Sequence, residues 1–318
     1  MRPMLRPGLR LLEGGPGSAC LVDGDSVVPL DRASARLLVP LDGLADEPTT
    51  IGYPDDDPAV RETWARLRES GVLMDAQSAL HLTADLAPAH RQRAFGDILA
   101  LLADDPARAE ERWRRRRRAV VEVLAGGELS ATMLELLCGG GIGTLVLTGV
   151  DSDCTDRLRA DFPDTRLLHR RDTSADVAVV GTDREPPSDE LDRLVRGHVP
   201  HLVAGLRGRS AVVGPFVVPG ATACLRCVDL ARADAQPLWP TVREQLSRTA
   251  PPHPMGAPRA SSIVTLGAAL AAAEVLAYVD GRVPETVNRS LVCTLSRPVP
   301  RAHQWTPRPD CGCMWLSS

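Results

Sequence analysis

The chain has 318 residues, enough for two domains and a sizeable core. Hydrophobic residues make up 44% of it and aromatic residues only 3%, so alanine and leucine must fill the interior. A net charge of −4 argues against a dominant nucleic-acid footprint, and the longest apolar run, IVTLGAALAAA at 263–273, is too short to span a bilayer.

No apolar core follows the three arginines of the first ten residues, so no secretory leader is expected and the chain reads as cytoplasmic. Residues 9–30 carry short apolar bursts, separated by glycine and aspartate clusters at 14–17 and 23–25. This pattern predicts three small strands. A helix follows, with Asp31 as its N-cap and Pro40 as its stop. A second helix runs through 55–73. Asp57 caps it, Pro58 takes its first position, Gly71 ends it, and Val60, Trp64, Leu67 and Val72 line one face. Three strands and short helices predict a winged-helix-like module over residues 1–85.

Residues 86–118 read as a charged helical linker with FGDILALL as its apolar part. It ends in RWRRRRRAV, which reads as a solvated helix end. A contact with an acidic peptide or protein partner is a second reading of that run. A nucleic-acid patch at Arg114 to Arg118 is a third, but it lacks interleaved aromatics.

From Ala119 the pattern changes. AVVEVLA, GTLVLTGV at 143–150, Leu167–Leu168 and DVAVVGTD at 176–183 read as parallel strands, with GGELSATMLELL and DELDRLVRGH as helices between them. HLVAGLRGRSAVVGPFVVPG at 201–220 predicts a strand pair through a glycine turn. Residues 251–262 read as a flexible crossover, 262–279 as a central helix, and 290–299 as one late strand. The expected fold is a Rossmann-like, mostly parallel sheet over 119–318. The histidines are scattered. His198 and His201 are close, but Pro200 breaks helical facing between them.

Ligands of such sheets sit at the carboxyl ends of strands. The loop after the first strand, Ala125 to Ser130, reads A-x-G-x-x-S where a nucleotide loop reads G-x-G-x-x-G. Gly127 keeps the middle glycine, while Ala125 and Ser130 each add a side chain at a tight place. The nearest acids for a ribose are Asp151 and Asp153. Asp183 ends a parallel strand, where it could hold magnesium or cap the next turn.

Of eight cysteines, Cys20, Cys138, Cys154 and Cys293 are isolated, and the first, second and last of these read as buried small hydrophobes. Cys224 and Cys227 form a C-x-x-C pair, and Cys311 and Cys313 form C-x-C. Four thiolates would complete a closed tetrahedral zinc site, structural because it leaves no position for water. A redox dithiol and unrelated surface thiols are the alternatives. A redox pair would open a helix behind a thioredoxin-type strand, a frame not expected after PGATA.

GPFVVPGATACLRCVDLARADAQPLWP at 214–240, together with PRPDCGC at 307–313, resembles the ThiF-like, ubiquitin-activating-enzyme-like proteins of ribosomal peptide natural-product clusters. These are leader-peptide-binding partners of YcaO cyclodehydratases in thiazole- and oxazole-modified microcin and thiopeptide biosynthesis. The resemblance covers essentially the whole chain. It implies a leader-peptide recognition module at the front. There a precursor leader would add as a strand beside Val27 and Val28 and against Arg61, Trp64 and Arg68 of the second helix. It implies a non-catalytic scaffold, commonly homodimeric, that presents the peptide to the YcaO enzyme for azoline formation. Zinc would be structural, and ATP and magnesium would go unused, because the glycine loop departs from that of the adenylating cousins. The alternatives are an adenylating enzyme acting on a peptide or small carboxylate, with Gly127, Asp183 and Arg157 or Arg184 around ATP, and a nucleic-acid-binding protein.

Overall fold

A computed structural model describes residues 2–15, 18–38, 41, 58–169, 174–183, 185–248 and 258–313. The chain divides into two compact units, Met1–Arg114 and Arg115–Ser318.

In the first unit, β1 (Pro3–Leu5) precedes β2 (Leu9–Gly15), β3 (Ser18–Asp23) and β4 (Ser26–Leu30). The last three form an antiparallel meander in the order β2-β3-β4. Helix α1 (Arg32–Leu38) starts as predicted, because the Asp31 carboxylate accepts from Ser34 N at 2.7 Å and from Ser34 Oγ at 2.9 Å. Its predicted stop at Pro40 lies outside the described residues, as does the predicted cap Asp57. Helix α2 (Pro58–Glu69) begins on its proline.

Strand β5 (Leu73–Asp75) pairs antiparallel with β1, and α3 (Ala76–Thr83) follows, capped by Asp75. Successive strand residues face opposite ways, so β5 feeds two cores. Leu73 joins Leu21, Leu37, Leu38, Trp64 and Leu67, while Met74 joins Ile98, Leu101 and Trp113. Burial is worth roughly 1.5–3 kcal/mol for each such large apolar side chain.

The expected single helical segment over 86–118 is two helices, α4 (Pro88–Asp104) and α5 (Ala109–Arg118). Asp105 and Pro106 break it, since proline removes a helical donor and disfavours helix in the residue before it. The arginine run is not uniformly solvated. Arg112 and Arg116 are buried at a spacing of four, which puts them on one face of α5.

The second unit is built on an eight-stranded sheet. In chain order its elements are β6 (Val120–Gly126), α6 (Leu129–Gly139), β7 (Thr144–Thr148), α7 (Ser152–Asp161), β8 (Arg166–Leu168), β9 (Val177–Thr182), α8 (Ser188–Arg196), β10 (His201–Arg207) and β11 (Ser210–Val217). There follow α9 (Leu225–Ala235), α10 (Trp239–Arg248), α11 (Ser261–Val279), β12 (Arg289–Thr294), β13 (Arg297–Gln304) and a short 3-10 turn at Pro309–Cys311. The sheet order is β13-β12-β11-β10-β9-β6-β7-β8. Strands β8 to β10 of that order are mutually parallel, and β11 to β13 run antiparallel.

The predicted late strand is therefore a hairpin. Pro298 and Pro300 disguise its second arm, which is tolerated because β13 is an edge strand. The sheet is covered on both faces. Val177 and Val179 point into the core of α6 and α11, while Ala178 and Val180 point to α8 and the start of α9. Helix α11 is long and apolar enough to cross a membrane, but Ala268, Ala271, Ala272 and Val275 are buried against the sheet, making it a core helix. Of the predicted crossover, residues 251–257 lie outside the described residues.

Candidate functional site

The sheet order reverses between β6 and β9, so the loops leaving these two strands form the crevice where such folds take ligands. Gly127 follows β6 and Asp183 follows β9. The structure brings them into contact. A Cβ on Gly127 would stand 2.5 Å from Asp183 Oδ1, so any larger residue would have to displace that carboxylate. The Asp183 carboxylate accepts from Glu128 N at 3.0 Å and from Leu206 N at 2.9 Å. A backbone N–H at a helix start is what an anionic ligand would use, and here a side chain of the protein uses it.

The other loop substitution also has a structural answer. Ser130, in the place of a third glycine, stands against Gly181 of β9, with Oγ 2.9 Å from where a Cβ would be. The close approach of helix to strand survives because the missing side chain has moved to the neighbouring strand. Sequence inspection missed this pairing, which links positions 51 residues apart. Glu128 and Arg259 form an ion pair beside the loop. Asp151, a candidate for ribose, caps α7 by accepting from Cys154 N at 2.7 Å, and Asp153 stands exposed in that helix's first turn. Arg157 is exposed on α7, and Arg184 lies outside the described residues.

Cys224, Cys227, Cys311 and Cys313 meet, all buried, with every sulfur within 4.8 Å of every other. Cys224 is the N-cap of α9, so the C-x-x-C pair does open a helix, contrary to expectation. The turn leading to it is held by Thr222 against Val218, and by Ala223 N donating to Asn288 Oδ1 at 2.8 Å. Sulfur separations are 3.4 Å for Cys224–Cys311, 3.6 Å for Cys227–Cys313 and 3.9 Å for Cys224–Cys227. A tetrahedron with bonds of about 2.3 Å needs sulfurs about 3.8 Å apart, so the cluster could hold a metal such as zinc.

Burial pushes the Cys224 thiol up to about 11 and those of Cys311 and Cys313 up to about 12. Cys227 moves down despite burial, because Arg308 N donates to its sulfur at 3.4 Å and its fellow cysteines add further hydrogen bonds. Of the isolated cysteines, Cys138, Cys154 and Cys293 are buried, whereas Cys20, predicted buried, is partly exposed on β3.

In the first unit the β3–β4 hairpin turns through Gly24 and Asp25. Gly24 has a φ of +56°, the conformation favoured at the first central position of a type II′ turn. With Asp23–Ser26 as the hydrogen-bonded closing pair, antiparallel alternation makes Leu21–Val28 the next such pair. The N–H and C=O of Val27 then face the open edge, and so does Pro29, which has no N–H to lose there. Val27 is 63% exposed and Val28 56%. Val28 shares the sheet face of its partner Leu21, which is buried beneath the helices. Among the described residues, the helices thus cover β3 and leave β4 open. Arg61 and Arg68 are exposed on α2. Trp64 is buried in the core with Leu21 and Leu67, and among the described residues its Nε1 has no hydrogen-bond partner.

The arginine run is largely occupied. Arg116 donates to both Asp280 oxygens, at 2.8 and 2.7 Å, and to Gly140 O at 3.0 Å. Arg117 donates to Asp164 O, and Arg114 pairs with Glu110.

No known protein-family profile matches the chain, and no curated protein is detectably similar in sequence. Solved structures do match in shape. The microcin C7 biosynthetic enzyme MccB, in complex with N-formylated MccA, aligns with a TM-score of 0.66 at 16% identity over 99% of this chain and 100% of that one. E. coli MccB with ATP gives 0.65 at 16% over 98% and 99%. The heterocyclase TruD gives 0.66 at 16%, covering 98% of this chain but 42% of TruD. From end to end, this chain shares the fold of MccB and of part of the heterocyclase TruD.

Proposed function

We propose that the protein is a leader-peptide-binding scaffold in the maturation of a ribosomally made peptide, and that it performs no adenylation itself. The observation that carries this reading is the open β4 edge. Val27 offers its N–H and C=O there, and an extended peptide can add as a fourth strand. Main-chain bonds would supply affinity, while Val28 and the exposed Arg61 and Arg68 would select an acidic, partly apolar leader. Trp64 enters this reading as the buried support that seats α2 on the sheet. The winged-helix-like module at 1–85, the linker at 86–118 and the sheet domain at 119–318 divide recognition from presentation.

The seating of Asp183 on Gly127 supports the absence of nucleotide chemistry. The sheet unit is then a body closed by zinc on the four cysteines. TruD supports the partner assignment, since this fold forms only part of that heterocyclase chain. A YcaO-type cyclodehydratase on a separate chain would supply azoline formation. Holding the leader raises the local concentration of the core peptide at that enzyme. The scaffold would be cytoplasmic and homodimeric.

The test is binding of a fluorescently labelled precursor leader to the full chain. Changing Arg61 and Arg68 to glutamate should weaken binding and steepen it against an acidic leader. Unaltered affinity in that variant removes the groove assignment.

A second reading, an adenylating enzyme, is favoured by one observation: the same fold in E. coli MccB has been solved with ATP. Pyrophosphate exchange dependent on ATP and precursor, and lost in Asp183→Ala, would establish it in place of the scaffold.

A further inference from the structure

Beneath α9 the sheet leaves a cavity of about 40 Å³. Gly205 of β10 and Gly214 of β11 contribute to its lining, with Glu185, Arg207, Asp229 and Arg232 as its charged members. The volume admits a carboxylate group or a few waters and excludes a nucleotide base.

Most charges here stand beside an opposite charge. Arg243 Nε lies 2.9 Å from Asp229 Oδ2 and 4.0 Å from Glu185 Oε2. Arg207 donates to Thr182 O at 2.7 Å, and its Nε stands 3.8 Å from Glu185. Asp183 also acts on Arg207, but its oxygens are taken by the amides of Glu128 and Leu206.

Arg232 differs. Among the described residues its guanidinium has neither a hydrogen-bond acceptor nor an ion-pair partner. Two ring faces hold it, Trp239 at 4.8 Å and Trp305 at 5.6 Å. Both indoles are pinned by groups lining the same cavity. Trp239 Nε1 donates to Asp229 Oδ1 at 3.1 Å, and Trp305 Nε1 donates to Ser290 Oγ at 2.8 Å. Trp305 also packs against the cysteine cluster, so the clamp at the chain end steadies this wall.

A guanidinium stacked on aromatic faces keeps its in-plane N–H fork available, and that fork matches a carboxylate. Arg207 stands near Glu185 and Arg243 beside Asp229, which leaves Arg232 as the guanidinium with an open fork. One planar carboxylate matches that fork.

We propose that this cavity binds a single carboxylate group through Arg232. The carboxylate is borne either by a peptide or by a small organic acid. The assignment is independent of the leader groove, because it concerns a different surface and a different ligand chemistry.

The test follows the indole N–H resonances of Trp239 and Trp305 in the full-length, metal-loaded chain. The probes are sodium acetate, N-acetylglycine, N-acetylglycinamide and inorganic phosphate. N-acetylglycine should shift both resonances saturably at millimolar concentration, and its amide should not. Arg232→Gln should abolish the saturable shift, and Arg232→Lys, which keeps the charge but loses the fork, should weaken it about tenfold. Each variant must retain its metal and its indole dispersion. Acetate binding as tightly as N-acetylglycine assigns a small acid; tenfold tighter N-acetylglycine assigns a peptide-borne carboxylate. No saturation by roughly 50 mM, an unchanged shift in both variants, or tighter binding of phosphate would overturn the proposal.

Discussion

Asp183 rests on Gly127: its Oδ1 lies 2.5 Å from the point where a Cβ at that glycine would be. The contact makes Gly127 a packing requirement as well as a remnant of a loop motif. Gly127→Ala must push the carboxylate off the amides of Glu128 and Leu206. It should lower stability by about 1–3 kcal/mol in urea unfolding, the cost of polar groups left unpaired. Asp183→Ala frees the space as well as the amides. The double variant should therefore cost less than the sum of the two single ones, because the clash is gone. Strict additivity would show that the two residues do not meet.

Arg116 and Asp280 form a buried bidentate pair, with side chains 6% and 0% exposed. Arg116→Ala leaves a carboxylate buried beside the more distant Arg282. A loss of about 3–5 kcal/mol is expected, against near zero for Arg114→Ala, whose pair with Glu110 is exposed. Equal effects of the two changes would contradict the inward placement of Arg116.

The cysteine cluster should carry about one metal ion per chain by elemental analysis. Cys224→Ser should lower that content and the melting temperature, by roughly 10 °C for a loss of about 3 kcal/mol. Cys293→Ser, at a buried thiol outside the cluster, should leave metal content unchanged. Metal-free protein of full stability would remove the clamp from the account.

His201 is buried on β10, and burial pushes it down to about 4, helped by Arg193 and opposed by the hydrogen bond of Nδ1 with Val199 O. An unfolded histidine titrates near 6.5. Below that pH the unfolded chain gains a proton that the folded chain refuses, so stability is full above about 6.5 and falls as pH drops toward 4. The loss should reach roughly 3 kcal/mol near pH 4. His201→Gln should flatten this part of the curve, measured by denaturant unfolding from pH 7 to pH 4. An unchanged slope would show that His201 accepts its proton in place.

Much of the sheet unit was legible because buried parallel strands are short uninterrupted apolar runs. VVEVLA and DVAVVGT announce themselves, and the spacing of four cysteines announced their meeting. Other parts were hidden for physical reasons. Trp239 and Pro240 obscured the start of α10, and SDCTDRLRAD carries too little apolar pattern to reveal α7. RWRRRRR reads as surface by composition, yet Arg116 is bound inside by Asp280, a partner 164 residues away. The contact of Asp183 with Gly127 could not be read either, because it depends on β9 returning to lie beside β6. In the front unit, the resemblance points to Val27 and Val28, but their exposure is not written in an apolar strand pattern, because it depends on helices that cover only the neighbouring β3.

The most direct measurement of the central claim compares Val27→Pro with Val28→Pro in the full chain, using fluorescence anisotropy of the labelled leader and thermal unfolding. Val27 points its N–H to the open edge and Val28 points its own to β3. Val27→Pro should weaken leader binding about tenfold while the melting temperature holds, since it removes one intermolecular bond and blocks the edge. Val28→Pro should lower the melting temperature, because it breaks the ladder to Leu21. Leader affinity unchanged in Val27→Pro, with the fold intact, would contradict strand addition at β4.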